Sequence, residues 1–448
     1  MERNPGAVSA APKPLLSVSD GVVLMCGMVI GAGIFKAPSI VAGNTSSATW
    51  FLLAWVLGGA ISLCGALVYA ELASRYPETG GEYAFLQRGW GSGAAFVFAW
   101  SRMTVIQTGA IAAVAYVFGD YASEILNLGA KSSAIYAGIG VVALTALNFA
   151  GTVESKTLQK IMQYVLFAGL LFIGIAGLLS GGAGAKPAAA AAAGGGGGAF
   201  GLAMIFVLLT YGGWNEAAYL GGEVHDARRN MLRVLIGGIV VVTVLYLLVN
   251  LGYLAALGLH GMKESKAVAA DVMRVVTGDR GAVVLSLLVC VAALTTMNAA
   301  IFTGARTNYA LGRDFSMFGA LGRWRESGST PANALLLQGV LALVLVAASS
   351  VTPDGFTAMV AYTTPVFWTF FLLTALTLFL FRRRETAAPL FRVPLYPVIP
   401  ILFCLACVYM LYSSINYVRF AVSFGVPVLA GIAVMAAGIP LYFLAKRK

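Results

Sequence analysis

The sequence predicts an all-α membrane protein with twelve transmembrane helices, and three observations lead to that fold class. Of the 448 residues, 59% are hydrophobic and only 10% are charged, which is more apolar sequence than a soluble core absorbs. The apolar residues fall into segments long enough to cross a bilayer, since about 20 residues rising 1.5 Å each cover its hydrocarbon core. The basic residues lie mainly in alternate loops between those segments, as expected of a chain that crosses a membrane repeatedly.

The predicted helices follow one another along nearly the whole chain. A polar tail with three prolines occupies residues 1–17, and Ser17-Val18-Ser19-Asp20 fits a capping box that starts helix 1. A low-complexity connector rich in alanine and glycine, residues 181–199, separates helix 5 from helix 6 and predicts a flexible spacer. In order, the twelve predicted helices cover residues 22–41, 50–73, 93–122, 133–150, 157–179, 200–224, 232–257, 281–311, 334–349, 355–381, 397–417 and 422–445.

Helix 1 contains a predicted break near its centre. Gly31-Ala32-Gly33 is followed by Lys36 and Pro38; glycine lets the backbone leave the helical region, and proline cannot donate a helix hydrogen bond. Unpaired backbone groups are costly at membrane depth, so a break is tolerated only beside protein or a wet cavity. The pattern indicates a binding site, although Gly27 and Gly31 also fit simple close packing of membrane helices.

A second interruption, in helix 6, favours the binding site. The segment Leu209-Thr210-Tyr211-Gly212-Gly213-Trp214-Asn215-Glu216 again places paired glycines in mid-span, with a charged residue three positions later. Interruptions at corresponding places in two halves of a chain are typical of transporters, which build their substrate sites there.

The distribution of charge predicts the topology. Twenty of the 29 Lys and Arg residues lie in the termini and in the loops on the same side as the termini, against seven in the opposite loops. The positive-inside rule then places both termini in the cytoplasm of a multi-pass protein of the cell membrane. Topology and the lipid bilayer account for the net charge of +11, so no nucleic-acid partner is expected, and Arg382-Arg383-Arg384 is interpreted as a solvated anchor.

The remaining chemistry-bearing residues do not predict an enzyme. All five cysteines lie inside predicted helices, where free cysteine behaves as a small hydrophobe, and the two histidines lie in loops. The sequence shows no nucleophile and base constellation and no phosphate-binding loop. We therefore expect no metal site and no cofactor.

Several spaced motifs resemble the amino acid-polyamine-organocation superfamily, and within it the L-type amino acid transporters and their bacterial relatives. They are Gly-Ala-Gly-Ile-Phe in helix 1, Tyr76-Pro77-Glu78-Thr79-Gly80-Gly81-Glu82-Tyr83 after helix 2, the Tyr211-Gly212-Gly213-Trp214-Asn215 break, Glu223-Val224 with Arg228-Arg229-Asn230, and Asn298 with Arg306, Tyr309-Ala310 and Arg313-Asp314. The resemblance implies a LeuT-type fold, with helices 1–5 (residues 18–180) and 6–10 (residues 200–381) as inverted repeats. Residues 382–448 then hold two peripheral helices and the cytoplasmic C-terminus.

The resemblance also implies an α-amino acid as the substrate, and helix polarity agrees with it. The second half of helix 1 begins with free N–H groups and a partial positive charge, which suit a carboxylate. Free carbonyls end the first halves of helices 1 and 6 and suit an ammonium group. The predicted site comprises Val29, Ile30, Gly31, Ala32, Gly33 and Ile34, with the carboxylate at Gly33 and Ile34, and Leu209, Thr210, Tyr211, Gly212 and Gly213.

The sequence departs from the family pattern at four places. Ala32 replaces a serine, Leu209 replaces the aromatic residue that acts as a gate in L-type relatives, and Leu166 stands where many relatives carry a helix 5 lysine. Residues 123–132 lack the cysteine that joins animal light chains to a heavy chain, so no covalent heavy-chain subunit is expected.

Polar residues inside the spans raise the question of energy coupling. Lys36, Glu216, Thr295, Thr296 and Asn298 could form a coupling or polar site; Lys36 could instead snorkel to the outer surface, and the threonines could bond their own helix.

The expected function is therefore transport of neutral amino acids by alternating access, through exchange or proton coupling rather than sodium. A polyamine or cationic amine carrier is the alternative within transport, and it would want acidic residues at the breaks. A nutrient sensor that resembles a transporter but moves no substrate is the alternative from another class.

Overall fold

The computed structural model describes residues 17–76, 81–151, 156–182, 197–217, 224, 226–325, 330–384, 389–420 and 422–445. Over these ranges the fold is all-helical apart from isolated β-bridge residues, among them Arg325, which pairs with Thr330. Most of the polar tail, most of the connector at 181–199 and the Pro77–Gly80 part of the turn motif lie outside the described residues.

Nine helices in the described part of the chain are long and apolar enough to cross a membrane. They correspond to predicted helices 2, 3, 4 and 7–12. Their bounds are Ala48–Arg75, Ser92–Ile125, Ser132–Ala150, Ala227–Glu264, Asp279–Asp314, Ala332–Ser349, Gly355–Arg384, Val398–Phe420 and Val422–Leu444. Helix 5 runs over Lys156–Leu179, and predicted helices 1 and 6 are each divided into shorter pieces.

Helix 1 is broken where the glycines predicted it. Its first half, helix 1a, spans Val18–Val29 and starts with the predicted capping box, in which the Ser17 side chain accepts from the Asp20 amide and Asp20 accepts from the Ser17 amide. The chain turns extended at Ile30 and Gly31 and then forms a 3-10 turn over Ala32–Phe35. The second half, helix 1b, spans Ala37–Gly43 and has its proline in the first turn, where no amide donor is needed.

Helix 6 is also broken at its glycine pair. Helix 6a spans Gly197–Thr210, a turn covers residues 211–213, and helix 6b spans Trp214–Ala217. Gly213 has a φ of 105°, a left-handed conformation that side chains with a Cβ rarely adopt. Residues 218–223, the predicted end of this helix, lie outside the described part of the chain.

Three features between these helices differ from the prediction. Helix 7 continues past its predicted end to Glu264, with a break at Gly258, whose φ is 67°. A short helix, Val268–Thr277, occupies the loop before helix 8; its ten residues are too few to cross a bilayer, so the pattern of membrane-length apolar segments did not predict it. Helix 3 contains one π-helical turn at Arg102–Ile106.

Glu71, near the end of helix 2, is fully buried and joins three segments. Its carboxylate accepts from Arg75 at 2.9 Å, from Arg382 Nε of helix 10 at 2.8 Å and from the Val393 amide at 2.8 Å. The interpretation of the arginine run as a solvated anchor is therefore wrong for Arg382, because this guanidinium is the counter-charge of a buried acid.

Candidate substrate site between the two helix breaks

The breaks of helices 1 and 6 pack directly against each other. A Cβ built on Gly33 would lie 3.4 Å from the Thr210 Cα, and one built on Gly213 would lie 2.2 Å from the Met28 carbonyl oxygen. Two backbones approach this closely only where glycine removes the side chain. The glycines therefore fit both interpretations of the sequence, since they pack the helices and also place the two breaks side by side.

A tyrosine of helix 7 reaches the carbonyl ends of both first halves. The Tyr246 hydroxyl lies 3.2 Å from the Val29 oxygen and 3.0 Å from the Thr210 oxygen. The ring is fully buried and makes edge contacts with Trp55 and Tyr211. One hydroxyl has a single hydrogen, so it can donate to only one of these carbonyls at a time. The C-terminal ends of helices 1a and 6a, each with a partial negative charge, thus meet at the Tyr246 hydroxyl. Their carbonyl oxygens can accept further hydrogen bonds.

Amide donors lie at the start of the second half of helix 1. A 3-10 turn that begins at Ala32 leaves the amides of Ala32 and Gly33 without partners inside the turn. This places the free donors one residue earlier than the predicted pair, Gly33 and Ile34. Beside them, a Cβ built on Gly31 would meet no atom within 4 Å, so there is open space at this break.

Exposure at the two breaks is confined to a few of the predicted site residues. Val29, Ile30, Ala32, Ile34, Thr210 and Tyr211 are buried, whereas Gly31, Gly33, Gly212 and Gly213 are partly exposed. Leu209 is 41% exposed, although residues 201–208 of the same helix are all buried. Helix 6a is therefore enclosed by protein, and its exposed leucine lies next to the glycines of the break.

The helix 8 residues that were predicted to form a polar site have hydrogen-bond partners in their own helix and in helix 4, away from the two breaks. The hydroxyls of Thr295 and Thr296 donate to the carbonyls of Val291 and Ala292 in their own helix. Asn298 accepts from Asn148 of helix 4 at 2.6 Å. These contacts favour the interpretation in which the threonines satisfy their own helix and Asn298 joins two helices.

Helix 5 contributes a neutral side chain next to helix 1a. Leu166 is buried, and Gln163, one turn earlier, approaches Gly27 so that a Cβ there would lie 3.6 Å from the glutamine Cγ. An uncharged amide thus faces helix 1a just before its break. Gln163 was not among the predicted site residues, because the residue that many relatives carry in helix 5 is a charged lysine and a neutral amide does not stand out from the sequence.

Glu216 lies in a separate group of charges, beside helix 6b. It is exposed and within electrostatic range of Arg102 and Glu82. Glu82 accepts from Arg102 at 3.4 Å and from the amide of Asn215 at 3.3 Å. The structure thus places Glu216 apart from Lys36, as the opposite sides of the two breaks predicted.

Lys36 does not snorkel to the surface. Its side chain is 3% exposed, and its ammonium lies 2.7 Å from Asp120 Oδ2 and 3.0 Å from Asp354 Oδ2. The snorkelling interpretation is therefore wrong: the lysine turns into the protein, where two carboxylates compensate its charge. Neither acid was identified from the sequence, since both lie far from Lys36 along the chain.

In the part of the chain that the structure describes, no group of three or more His, Cys, Asp or Glu side chains is arranged to hold a metal ion. The breaks instead offer backbone donors at the start of the 3-10 turn and backbone acceptors at the ends of helices 1a and 6a, beside the open space at Gly31. Such an arrangement can bind a small molecule that carries both charges.

Comparison with known proteins gives matches along most of the chain. A family model described as amino acid permease matches residues 16–437. The chain is 29% identical to b(0,+)-type amino acid transporter 1 of Homo sapiens over 415 residues, which cover 89% of this chain and 82% of that protein. It is 26% identical to the serine/threonine exchanger SteT of Bacillus subtilis (strain 168) over 434 residues, 95% of each chain. Large neutral amino acids transporter small subunit 2 of Homo sapiens is 27% identical over an alignment of 465 residues, covering 99% of this chain and 83% of that protein.

Proposed function

The chain belongs to the amino acid permease family, and on that premise we propose that it is a secondary transporter that moves neutral amino acids across the cell membrane by alternating access. The resemblance to amino acid transporters drawn from the motifs is confirmed by this membership. Similar proteins that are named as amino acid transporters and exchangers support amino acids as the class of substrate.

The arrangement of the two breaks carries the proposal. The carbonyls of Val29 and Thr210, gathered around Tyr246, would accept the substrate ammonium. The amides of Ala32 and Gly33 would donate to its carboxylate. Both ends of a zwitterion are then bound by backbone groups, so its side chain need carry no charge.

The proposed architecture follows from the same premise. Helices 1–5 and 6–10 form two inverted repeats whose first helices are the broken ones, and both termini face the cytoplasm. Leu209 lies at the exposed edge of the break and acts as the gate over the substrate. We propose that no partner subunit is joined covalently, because residues 123–132 contain no cysteine.

For energy coupling we propose exchange or proton coupling without sodium. Sodium prefers about five or six oxygen ligands, as hard cations generally favour oxygen. Among the described residues, the hydroxyls of Thr295 and Thr296 donate to carbonyls of their own helix, and neither of these hydrogen bonds joins them to the carbonyls of the breaks. A polyamine carrier would need free acids at the breaks, and the two acids beside helix 1b are both engaged by the Lys36 ammonium.

Uptake by purified protein in liposomes tests the function. Liposomes loaded with unlabelled neutral amino acids should accumulate labelled substrate by counterflow in sodium-free buffer, with and without a pH gradient. An absolute requirement for sodium would overturn the coupling proposal alone. Absence of uptake and counterflow for every amino acid, in protein that binds them, would favour a nutrient sensor instead.

A further inference from the structure

Three charged groups meet beside the second half of helix 1. Lys36 lies between the 3-10 turn and helix 1b, Asp120 lies near the end of helix 3, and Asp354 directly precedes helix 10. The exposed fractions of the side chains are 3%, 14% and 33%. We call these three residues the Lys36 cluster. It joins three elements that come from distant parts of the chain.

Each carboxylate of the cluster is held by a further donor. Asp120 accepts from the Ser133 hydroxyl at 2.6 Å, and Asp354 accepts from the Thr357 amide at 2.7 Å. The Lys36 ammonium also donates to the Lys266 carbonyl at 3.4 Å, in the loop before the short helix Val268–Thr277. The cluster is therefore an ordered site, in which the helix 3 and helix 10 acids share one lysine.

Hydrogen bonds next to the cluster join the end of helix 3 to the 3-10 turn of helix 1 and to the short helix. The Tyr121 hydroxyl, one residue after Asp120, donates to the Phe35 carbonyl at 2.8 Å and accepts from the Ala269 amide at 3.3 Å. Phe35 and Ile34 are fully buried. The short helix, the end of helix 3 and the 3-10 turn are thus bonded together on one side of the break, the side that charge distribution predicts to be external.

The Lys36 cluster is expected to add little net stability to the fold, because its charges are removed from water. A buried ion pair is seldom more stable than an apolar replacement, because desolvation offsets most of the attraction. One ammonium against two carboxylates also leaves a net charge of one unit on a cluster whose lysine is buried and whose acids are 14% and 33% exposed. Separation of the three charges would return them to water, so their hydration would offset the broken ion pairs. Such a contact can hold two states close in free energy.

We propose that the Lys36 cluster is the latch of the external pathway to the substrate site. In the latched state Lys36 ties helix 1b to helices 3 and 10, and the pathway is closed. The latch opens when the three charges separate and hydrate, which frees helix 1b to move. This inference rests on the proposed alternating access, and it names the residues that control one of its two gates.

Removal of the lysine alone and removal of all three charges are expected to shift the pathway in opposite directions. Lys36→Met leaves two carboxylates without their cation, so the closed state is strongly disfavoured and the pathway opens. Lys36→Met/Asp120→Asn/Asp354→Asn removes every charge, so the closed state loses its desolvation cost and opens less than the parent. If Lys36→Met fails to fold, Lys36→Met/Asp120→Asn leaves only the one-third exposed Asp354 unpaired and opens to an intermediate extent.

The measurement is labelling of one cysteine by a membrane-impermeant thiol reagent, applied to each face of reconstituted protein in turn. Cys26, Cys64, Cys290, Cys404 and Cys407 are first replaced, and Ala113→Cys supplies the reporter. Ala113 is buried and lies seven residues before Asp120, hence two turns deeper on the same face of helix 3. Glu124→Gln is the matched control, because Glu124 lies one turn beyond Asp120 on that helix and forms a partly exposed pair with Arg274.

We expect external labelling to rise about tenfold or more in Lys36→Met, as loss of one partner of a buried pair costs several kcal/mol. Glu124→Gln should stay within about twofold of the parent, as surface pairs contribute little. The neutral triple variant should label more slowly than the parent. Parent-like labelling of Lys36→Met, or a triple variant as open as Lys36→Met, would overturn the latch. Labelling needs no substrate, so a failed latch with intact uptake is distinguishable from a failure of the transport proposal.

Discussion

Gly213 faces the carbonyl of Met28 so closely that a Cβ at this position would lie 2.2 Å from the oxygen. The φ of 105° at Gly213 adds a second requirement for glycine at the same residue. The break of helix 6 therefore rests against the last turn of helix 1a through one residue without a side chain. This contact fixes the distance between the two halves of the proposed substrate site.

Gly213→Ala is expected to displace the breaks and weaken substrate binding. The left-handed backbone alone costs on the order of 1–3 kcal/mol with a Cβ, and the contact with Met28 adds to it. Gly138→Ala is the control, because a Cβ at this helix 4 position would meet no atom within 4 Å. Thermal unfolding in detergent and substrate affinity check both variants; equal behaviour of the two would contradict the proposed contact.

Gly33→Val should abolish substrate binding while the protein remains folded. The β-branched side chain would enter the space beside the Thr210 backbone and block the amides proposed to bind the carboxylate. Ala32→Ser is its control, since the same backbone donors remain and only a hydroxyl is added. Binding of labelled amino acid to purified protein is the measurement, and unchanged affinity in Gly33→Val would refute this role of the break.

Tyr246→Phe removes the hydroxyl shared by the carbonyls of Val29 and Thr210. The two buried acceptors then lose the one donor that they share, so we expect substrate affinity to fall about tenfold, which equals about 1.4 kcal/mol. Tyr253→Phe is a close control: this tyrosine lies two turns further along helix 7, is fully buried, and its hydroxyl has no partner in the described residues. A similar loss in both variants would mean that the hydroxyl of Tyr246 has no special role.

Leu209→Phe should shift the preference of the transporter toward smaller amino acids. A phenylalanine at this exposed edge covers more of the opening and leaves less room for the substrate side chain. We expect the ratio of uptake for small over large neutral substrates to rise about tenfold, within the range that pocket volume discriminates. Leu209→Met preserves volume and should leave the ranking unchanged. The same substrate ranking in the phenylalanine variant would show that Leu209 is not a gate.

Glu71→Gln should destabilise the fold by about 3–5 kcal/mol, because Arg75 and Arg382 then lose the carboxylate that compensates them in a buried position. Glu124→Gln, at a partly exposed acid, should change the unfolding temperature little. A melting temperature of Glu71→Gln that matches Glu124→Gln would refute the clamp between helices 2 and 10.

Local chemistry explains what the sequence could predict. The capping box at Ser17 and the interruptions at Gly31 and Gly213 depend on residues adjacent in the chain, and the structure confirms all three. The apolar segments likewise gave helix positions to within a few residues for most of the long helices. These features need no knowledge of how distant segments pack.

Long-range partners explain what the sequence could not predict. Asp120 and Asp354 meet Lys36 only through the packing of three helices, and no local pattern relates them. Tyr246 lies in an apolar helix, where an aromatic residue usually indicates core packing, so nothing marked its hydroxyl as a contact of both breaks. The prediction that Arg382 is a solvated anchor was wrong for the same reason, because its acidic partner Glu71 lies on the distant helix 2.

The π-helical turn of helix 3 has a consequence for how insertions and deletions are tolerated. Arg102–Ile106 holds one residue more than a regular turn, and Tyr362 of helix 10 reaches the Thr104 carbonyl there at 3.1 Å. Each residue of a helix advances it by about 100°. The wide turn holds its extra residue without that rotation, so loss of one residue here would restore a regular turn and leave Asp120 beside Lys36 and Arg102 beside Glu82. The same loss between residues 107 and 119 would rotate Asp120 away from Lys36. The π-helical turn is therefore the place in helix 3 where a change of one residue in length leaves the angular phase of its two ends unchanged.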